Sequence, residues 1–195
     1  MNHPVTHLLY LHGFRSSPRS AKAMQVARRM QARHPGVTWW CPQLPPSPRQ
    51  ALELVMQGVA DWPAGSMGVM GSSLGGFYAT SVAEARGCRA VLLNPAVDPA
   101  RDLAKYIGEH TTWQDPSERF FFEPGFVDEL RAMTPAGTTR PERYYALIAQ
   151  GDEVLDWREM TGRYPGARIR LLEGGDHALS DFADHLDEAL AFLGL

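Results

Sequence analysis

The run Gly71-Ser72-Ser73-Leu74-Gly75-Gly76 offers a serine in a setting suited to nucleophilic chemistry. Glycines stand two residues to either side of Ser73, though not of Ser72, which is the spacing of a serine riding a sharp strand-to-helix turn, a nucleophile elbow. A bulkier residue at either flank would clash with the neighbouring strand and helix or resist the strained backbone. The run lacks the lysine of a phosphate-cradling Gly-x-x-x-x-Gly-Lys-Ser/Thr loop, and it does not have the Gly-x-Gly-x-x-Gly spacing.

A serine hydroxyl is a poor nucleophile at neutral pH and needs a base to take its proton, while the base needs an orienting carboxylate. With the serine on an elbow, the partners follow in chain order as acid and then histidine. Gly151-Asp152-Glu153-Val154-Leu155-Asp156 and Gly174-Gly175-Asp176-His177 supply both, each after an apolar run. Among seven histidines, His3 and His7 border the first strand, His34 ends a helix, and His110 and His185 fall in helical patterns. His12 opens the loop His12-Gly13-Phe14-Arg15, which is suited to offering backbone donors, so His177 is the expected base.

Asp152 is the expected acid because it follows a strand directly and has no competing task. Asp156 is the alternative acid, but Asp156-Trp157-Arg158-Glu159 has the form of a capping box, with the Asp accepting a backbone N–H and Glu159 reaching back. Asp176, adjacent to the base, is expected to shape its loop. The backbone N–H groups of Phe14 and Leu74 are the expected oxyanion hole, Leu74 with support from the helix dipole.

Positioning these groups falls to short apolar runs that alternate with longer helical patterns, which implies a parallel sheet covered on both faces, an α/β fold. The expected strands are Val5–Leu11, Val37–Cys41, Ser66–Met70, Arg89–Asn94, Arg143–Gln150 and Arg168–Leu172. Helical spacing marks Ser20–Arg33, Gln50–Val59, Leu74–Arg86 and a last helix from about Asp181. Pro95 to Pro141 breaks the alternation and carries Tyr106, Trp113, Phe120, Phe121, Phe122 and Phe126. We read it as a small helical cap that gives apolar walls to a cleft, with an ordinary packing excursion as the alternative.

The chain of 195 residues, 44% hydrophobic and 21% charged, is expected to form one domain around one substantial core. A formal charge of −3 with dispersed arginines argues against a nucleic-acid partner. Cys41 and Cys88 read as buried thiols, consistent with a reducing compartment. The opening Asn2-His3-Pro4 and the brief Leu8–Leu11 run suit neither a signal peptide nor a membrane span, so a cytoplasmic protein is expected.

The motifs Leu9-Tyr10-Leu11-His12-Gly13-Phe14, Ser16-Ser17-Pro18, Pro42-Gln43-Leu44-Pro45-Pro46, Asn94-Pro95-Ala96 and the three site runs above, taken jointly, resemble the small bacterial YqiA/YcfP-type esterases of the alpha/beta-hydrolase superfamily. The resemblance runs from the first strand to Phe192-Leu193-Gly194-Leu195 and implies sheet order 2-1-3-4-5-6 and hydrolysis of acyl esters or acyl thioesters. It is weakest over Trp113 to Phe126. The residues themselves supply a nucleophile, a base and an acid in Ser73, His177 and Asp152, and together with what the resemblance implies they give the expectation of a serine esterase with neither metal nor organic cofactor. Two other classes stay open: a noncatalytic small-ligand-binding protein on the same fold, and a hydrolase of another bond type using the same triad.

Overall fold

The computed structural model describes residues 4–195, so the expectation for His3 lies outside the described residues. Among the described residues, eight strands and seven α-helices follow in the order β1 (His7–Leu11), α1 (Ala21–Arg33), β2 (Thr38–Trp40), α2 (Pro48–Gly58), β3 (Met67–Ser72), α3 (Leu74–Arg86), β4 (Arg89–Leu93), α4 (Pro99–Leu103), β5 (Gly108–Thr111), β6 (Arg119–Phe122), α5 (Pro124–Met133), β7 (Tyr144–Ala149), α6 (Trp157–Arg163), β8 (Arg168–Leu172) and α7 (Phe182–Leu193).

Six strands form a parallel sheet in the order β2-β1-β3-β4-β7-β8. Its labels differ from the implied 2-1-3-4-5-6 because β5 and β6, which the sequence did not disclose, intervene as a separate antiparallel hairpin. Alternating side chains of the strands feed two cores, as the pleat requires. Leu8, Tyr10, Met70, Val91, Leu93, Tyr145 and Leu147 meet α1 and α7 on one face. Leu9, Leu11, Val69, Leu92, Ala146 and Ile148 meet α2, α3 and α6 on the other.

The helices begin where backbone chemistry favours it. Ser47 caps α2 by accepting the Gln50 N–H, with Pro48 as its first residue, so the helix starts two residues before the apolar periodicity. Gly87, in the left-handed region at φ +67°, closes α3. His110, expected in a helix, lies in β5.

The stretch 95–141 holds α4, the β5–β6 hairpin and α5 rather than helices alone. Part of it joins the main core through Leu103, Phe122, Val127 and Leu130. The hairpin's Thr112, Glu118, Arg119 and Phe120 instead face an open cavity.

The glycines of the elbow are closed in by neighbouring backbone. A Cβ on Gly71 would lie 2.1 Å from the carbonyl oxygen of Gly75, and one on Gly75 would lie 2.0 Å from that of Leu11. Both obstacles are backbone and cannot swing aside. Gly75→Ala is therefore expected to cost about 3 kcal/mol, the upper range for overpacking, and to lower the melting midpoint by about 6–12 °C. Gly162, within α6, has open space where a Cβ would go. Gly162→Ala in the same thermal melt should be neutral or stabilising by up to about 1 kcal/mol.

Candidate active site

Every sequence-predicted site residue lies at the carboxyl edge of the sheet, where loops after parallel strands gather. Ser73 sits between β3 and α3 at φ +55°, ψ −120°, a conformation that residues with side chains rarely adopt. Neighbouring backbone holds the turn. The Ser73 N–H donates to Leu93 O at 3.0 Å, and Ser73 O accepts from Ala96 N–H at 3.0 Å and Gly76 N–H at 2.8 Å.

Asp152 follows β7 and carries a side chain with no exposed surface. Its Oδ1 accepts the backbone N–H groups of Val154 and Leu155, both at 2.8 Å, and its Oδ2 lies 2.7 Å from His177 Nδ1. An ionised carboxylate only accepts, so Nδ1 carries the proton and donates a hydrogen bond to Asp152. The other ring nitrogen, Nε2, is then free to accept from Ser73 Oγ at 3.0 Å. Residues 73, 152 and 177 thus form one continuous line of hydrogen bonds.

The loops bearing the second and third of these residues run against each other. Gly151 N–H donates to Gly174 O at 2.8 Å, and a Cβ on Gly151 would come within 2.3 Å of Gly175 O. Glu153 accepts the His177 backbone N–H at 3.0 Å. Asp176 takes both the N–H and the hydroxyl of Ser180, bonds that hold its carboxyl below the usual carboxylate range. Lys22 of α1 donates to Ala178 O, and burial pushes its ammonium down to about 8.

Asp156 does not join this line. It caps α6 by accepting the Arg158 N–H at 2.9 Å. The second half of the expected capping box is absent, because Glu159 is drawn to Arg101, whose Nη1 and Nη2 donate to it at 2.9 and 2.7 Å.

Leu74 is the first residue of α3, so its N–H has no acceptor within the helix. The Gly13–Phe14 segment passes directly beside the serine: a Cβ on Gly13 would lie 3.3 Å from Ser73 Cβ. His12 holds this loop from beneath. It is buried, its Nε2 accepts the Leu44 N–H at 3.0 Å, and its Nδ1–H therefore donates to Gly13 O at 3.0 Å. Burial depresses its basicity and keeps that neutral tautomer. This scaffold role of the His12 side chain was not legible in the sequence, since Leu44 is remote along the chain.

The hairpin braces the loop from above. Trp113 N–H donates to Arg15 O at 2.8 Å, and Arg15 Nε donates to Thr111 O at 3.0 Å. The Arg15 guanidinium lies 3.9 Å from the centre of the Trp113 ring. The Phe14 ring packs edge-on against His110, Phe120 and Phe122, at centroid distances of 5.5, 5.9 and 5.2 Å.

Two cavities meet at Gly13 and Phe14. One, of about 550 Å³, is walled by Leu44, Pro45, Leu54, Leu74, Tyr78 and Phe120. The other, of about 250 Å³, contains Ser73 and His177 and is edged by Ser20, Lys22, Trp113 and Gln114. Among the described residues, no group of three or more His, Cys, Asp or Glu is gathered to hold a metal ion, and no helix is long and apolar enough to cross a membrane. Cys88 is buried and Cys41 half-buried, both free, and burial pushes both thiols up to about 12, far from a reactive thiolate.

Sheet, helices and elbow define an alpha/beta-hydrolase fold. Solved structures agree: the chain is similar to alpha/beta hydrolase domain-containing protein 10 from mouse, at 17% identity over 96% of this chain and 90% of that one, with a TM-score of 0.69. It is similar to Est1E from Butyrivibrio proteoclasticus in a ferulic acid-bound structure, at 13% identity over 97% and 87% of the two chains, with a TM-score of 0.68. It is also similar to the esterase domain of a Rhodothermus marinus protein, at 20% identity over 98% and 85%, with a TM-score of 0.63. More particularly, residues 7–194 match the model of the uncharacterised protein family UPF0227, the YqiA/YcfP-type family, and the chain belongs to it.

Proposed function

We propose that this chain is a serine esterase acting on small acyl esters or thioesters. Ser73 Oγ attacks the acyl carbonyl as His177 Nε2 takes its proton, and the N–H groups of Leu74 and Phe14 stabilise the oxyanion. The imidazolium, steadied by Asp152, returns the proton to the departing alcohol or thiol, leaving an acyl-enzyme. Water then repeats the sequence, deprotonated by His177, and releases the carboxylic acid with Ser73 restored. The observation that carries this reading is the line of hydrogen bonds at 2.7 and 3.0 Å from Asp152 through His177 to Ser73.

Because His177 hands its proton to the leaving group, that group belongs in the smaller cavity on the histidine side, and the acyl chain in the larger apolar one. On this assignment 95–141 acts as a cap within a single domain, with Phe120 as part of the acyl wall. The proposal is tested with a fluorophosphonate probe and a series of p-nitrophenyl esters. Phosphonylation of Ser73, located by peptide mass, together with ester turnover supports it; an unlabelled Ser73 and no turnover favour a binding protein, and label without ester turnover favours hydrolysis of another bond.

The acyl wall gives a specificity prediction. Leu54 lines the larger cavity and is 38% exposed, so a larger side chain there fills space without disturbing the core. Leu54→Trp is expected to lower kcat/KM for a decanoyl ester relative to a butyryl ester by about tenfold, the scale on which a pocket discriminates chain length. Steady-state rates across the chain-length series give this ratio directly.

A further inference from the structure

One buried side chain outside the hydrogen-bonded line joins the strand end before the acid to the loop of the base, next to the backbone that holds the serine. Asn94 follows β4 and has no exposed surface. Its Oδ1 accepts the N–H of Ala149, the last residue of β7, at 2.8 Å. Its Nδ2 donates to the carbonyl oxygens of Asp176 at 3.0 Å and His177 at 3.3 Å. The residue before it, Leu93, accepts the Ser73 N–H at 3.0 Å, and Asn94 N–H donates to Leu147 O at 3.0 Å. The amide thus spends both donors on the base loop and its oxygen on the acid strand, a division that fixes which way it faces. Its backbone sits at φ +40°, a region where asparagine is among the few tolerated residues with a side chain.

We propose that Asn94 is a positioning residue: its carboxamide ties the loop carrying His177 to the strand end carrying Asp152 and so sets the reach of the imidazole to Ser73. This rests on the esterase reading above. The loop needs such a tie, because it enters through Gly174 and Gly175, at φ +76° and +75°, where the chain has the conformational freedom of glycine. Glu153 and Lys22 reach it from flanking loop and helix and Gly151 N–H holds it at Gly174, whereas Asn94 holds it at the base itself from within the sheet edge. A displacement of about 1 Å at a reacting group can cost about a hundredfold in rate.

Two variants separate the amide from the backbone. Asn94→Gly keeps the left-handed conformation and removes the carboxamide. Asn94→Asp keeps the shape and the acceptor toward Ala149, but sets a carboxylate oxygen against two carbonyl oxygens. For variants shown to be folded by circular dichroism at the assay temperature, kcat on p-nitrophenyl butyrate is expected to fall about 30- to 100-fold with KM changed by less than about twofold. Fluorophosphonate labelling of Ser73 should slow in step, and the far-downfield proton resonance of His177 Nδ1–H should broaden or vanish. A purely structural role would lower the melting midpoint without moving that resonance. The proposal is overturned if a folded Asn94→Gly keeps the wild-type kcat, if the loss lies in KM, or if neither variant folds, which would make the amide a stability element. Wild-type protein labelled at Ser73 alongside an equally fast Asn94→Gly overturns this inference alone; wild-type protein unlabelled at Ser73 overturns the esterase reading and this inference with it.

Discussion

Ser73→Ala is expected to lower kcat for ester hydrolysis by about 10⁴- to 10⁶-fold, the range seen when a nucleophile that works as part of a unit is removed. Alanine keeps the Cβ and loses only the oxygen that His177 Nε2 faces at 3.0 Å. The elbow does not depend on that oxygen, since the hydrogen bonds that hold it run through the Ser73 N–H and carbonyl. The variant should therefore melt within about 1 °C of the wild type, and the fluorophosphonate label should disappear completely. Ser72 remains in place in this variant, so undiminished turnover would show that position 73 does not supply the nucleophile.

Much of this architecture was legible because it rests on local physics. The six strands of the parallel sheet announced themselves as short runs bounded by turn residues, and Arg168–Leu172 matches β8 residue for residue. The elbow was legible for a steric reason: contacts of 2.0 and 2.1 Å at the would-be Cβ positions of Gly75 and Gly71 admit nothing larger than hydrogen. The capping task of Asp156 was legible because a cap leaves a local signature, and Asp156 does cap α6.

What stayed hidden depends on partners remote in sequence. The β5–β6 hairpin has polar Gly-Glu-His-Thr on one strand and three consecutive phenylalanines on the other, which mask the alternation of a half-buried ribbon. Only in three dimensions do Phe121, at 51% exposure, and Phe122, at 1%, part to opposite sides. His12 and Asn94 are buried polar residues whose tasks are set by Leu44, Ala149 and Asp176, and no spacing rule connects them. A buried polar group must find partners, but the chain alone does not say which.

The two acid candidates should part sharply when each is replaced by its isosteric amide. In Asp152→Asn, the N–H groups of Val154 and Leu155 still point at the position of Oδ1, so the amide must turn its oxygen toward them. Its NH₂ then faces His177 Nδ1, where the carboxylate had accepted a hydrogen bond at 2.7 Å. Two donors cannot face each other, so the imidazole moves its proton to Nε2 and presents N–H rather than a lone pair to Ser73 Oγ. The base is thereby disabled with the packing intact, and kcat is expected to fall about 10⁴-fold, as for a triad locked in the wrong tautomer. Asp156→Asn behaves differently, because asparagine caps a helix about as well as aspartate. Its amide oxygen can still accept the Arg158 N–H, and kcat should stay within about twofold of wild type with a melting shift of no more than about 2 °C. Parallel kinetics and melts on the two variants decide the assignment: loss of turnover confined to Asp156→Asn would make the carboxylate that caps α6 the working acid, and the hydrogen bond from His177 to Asp152 an incidental one.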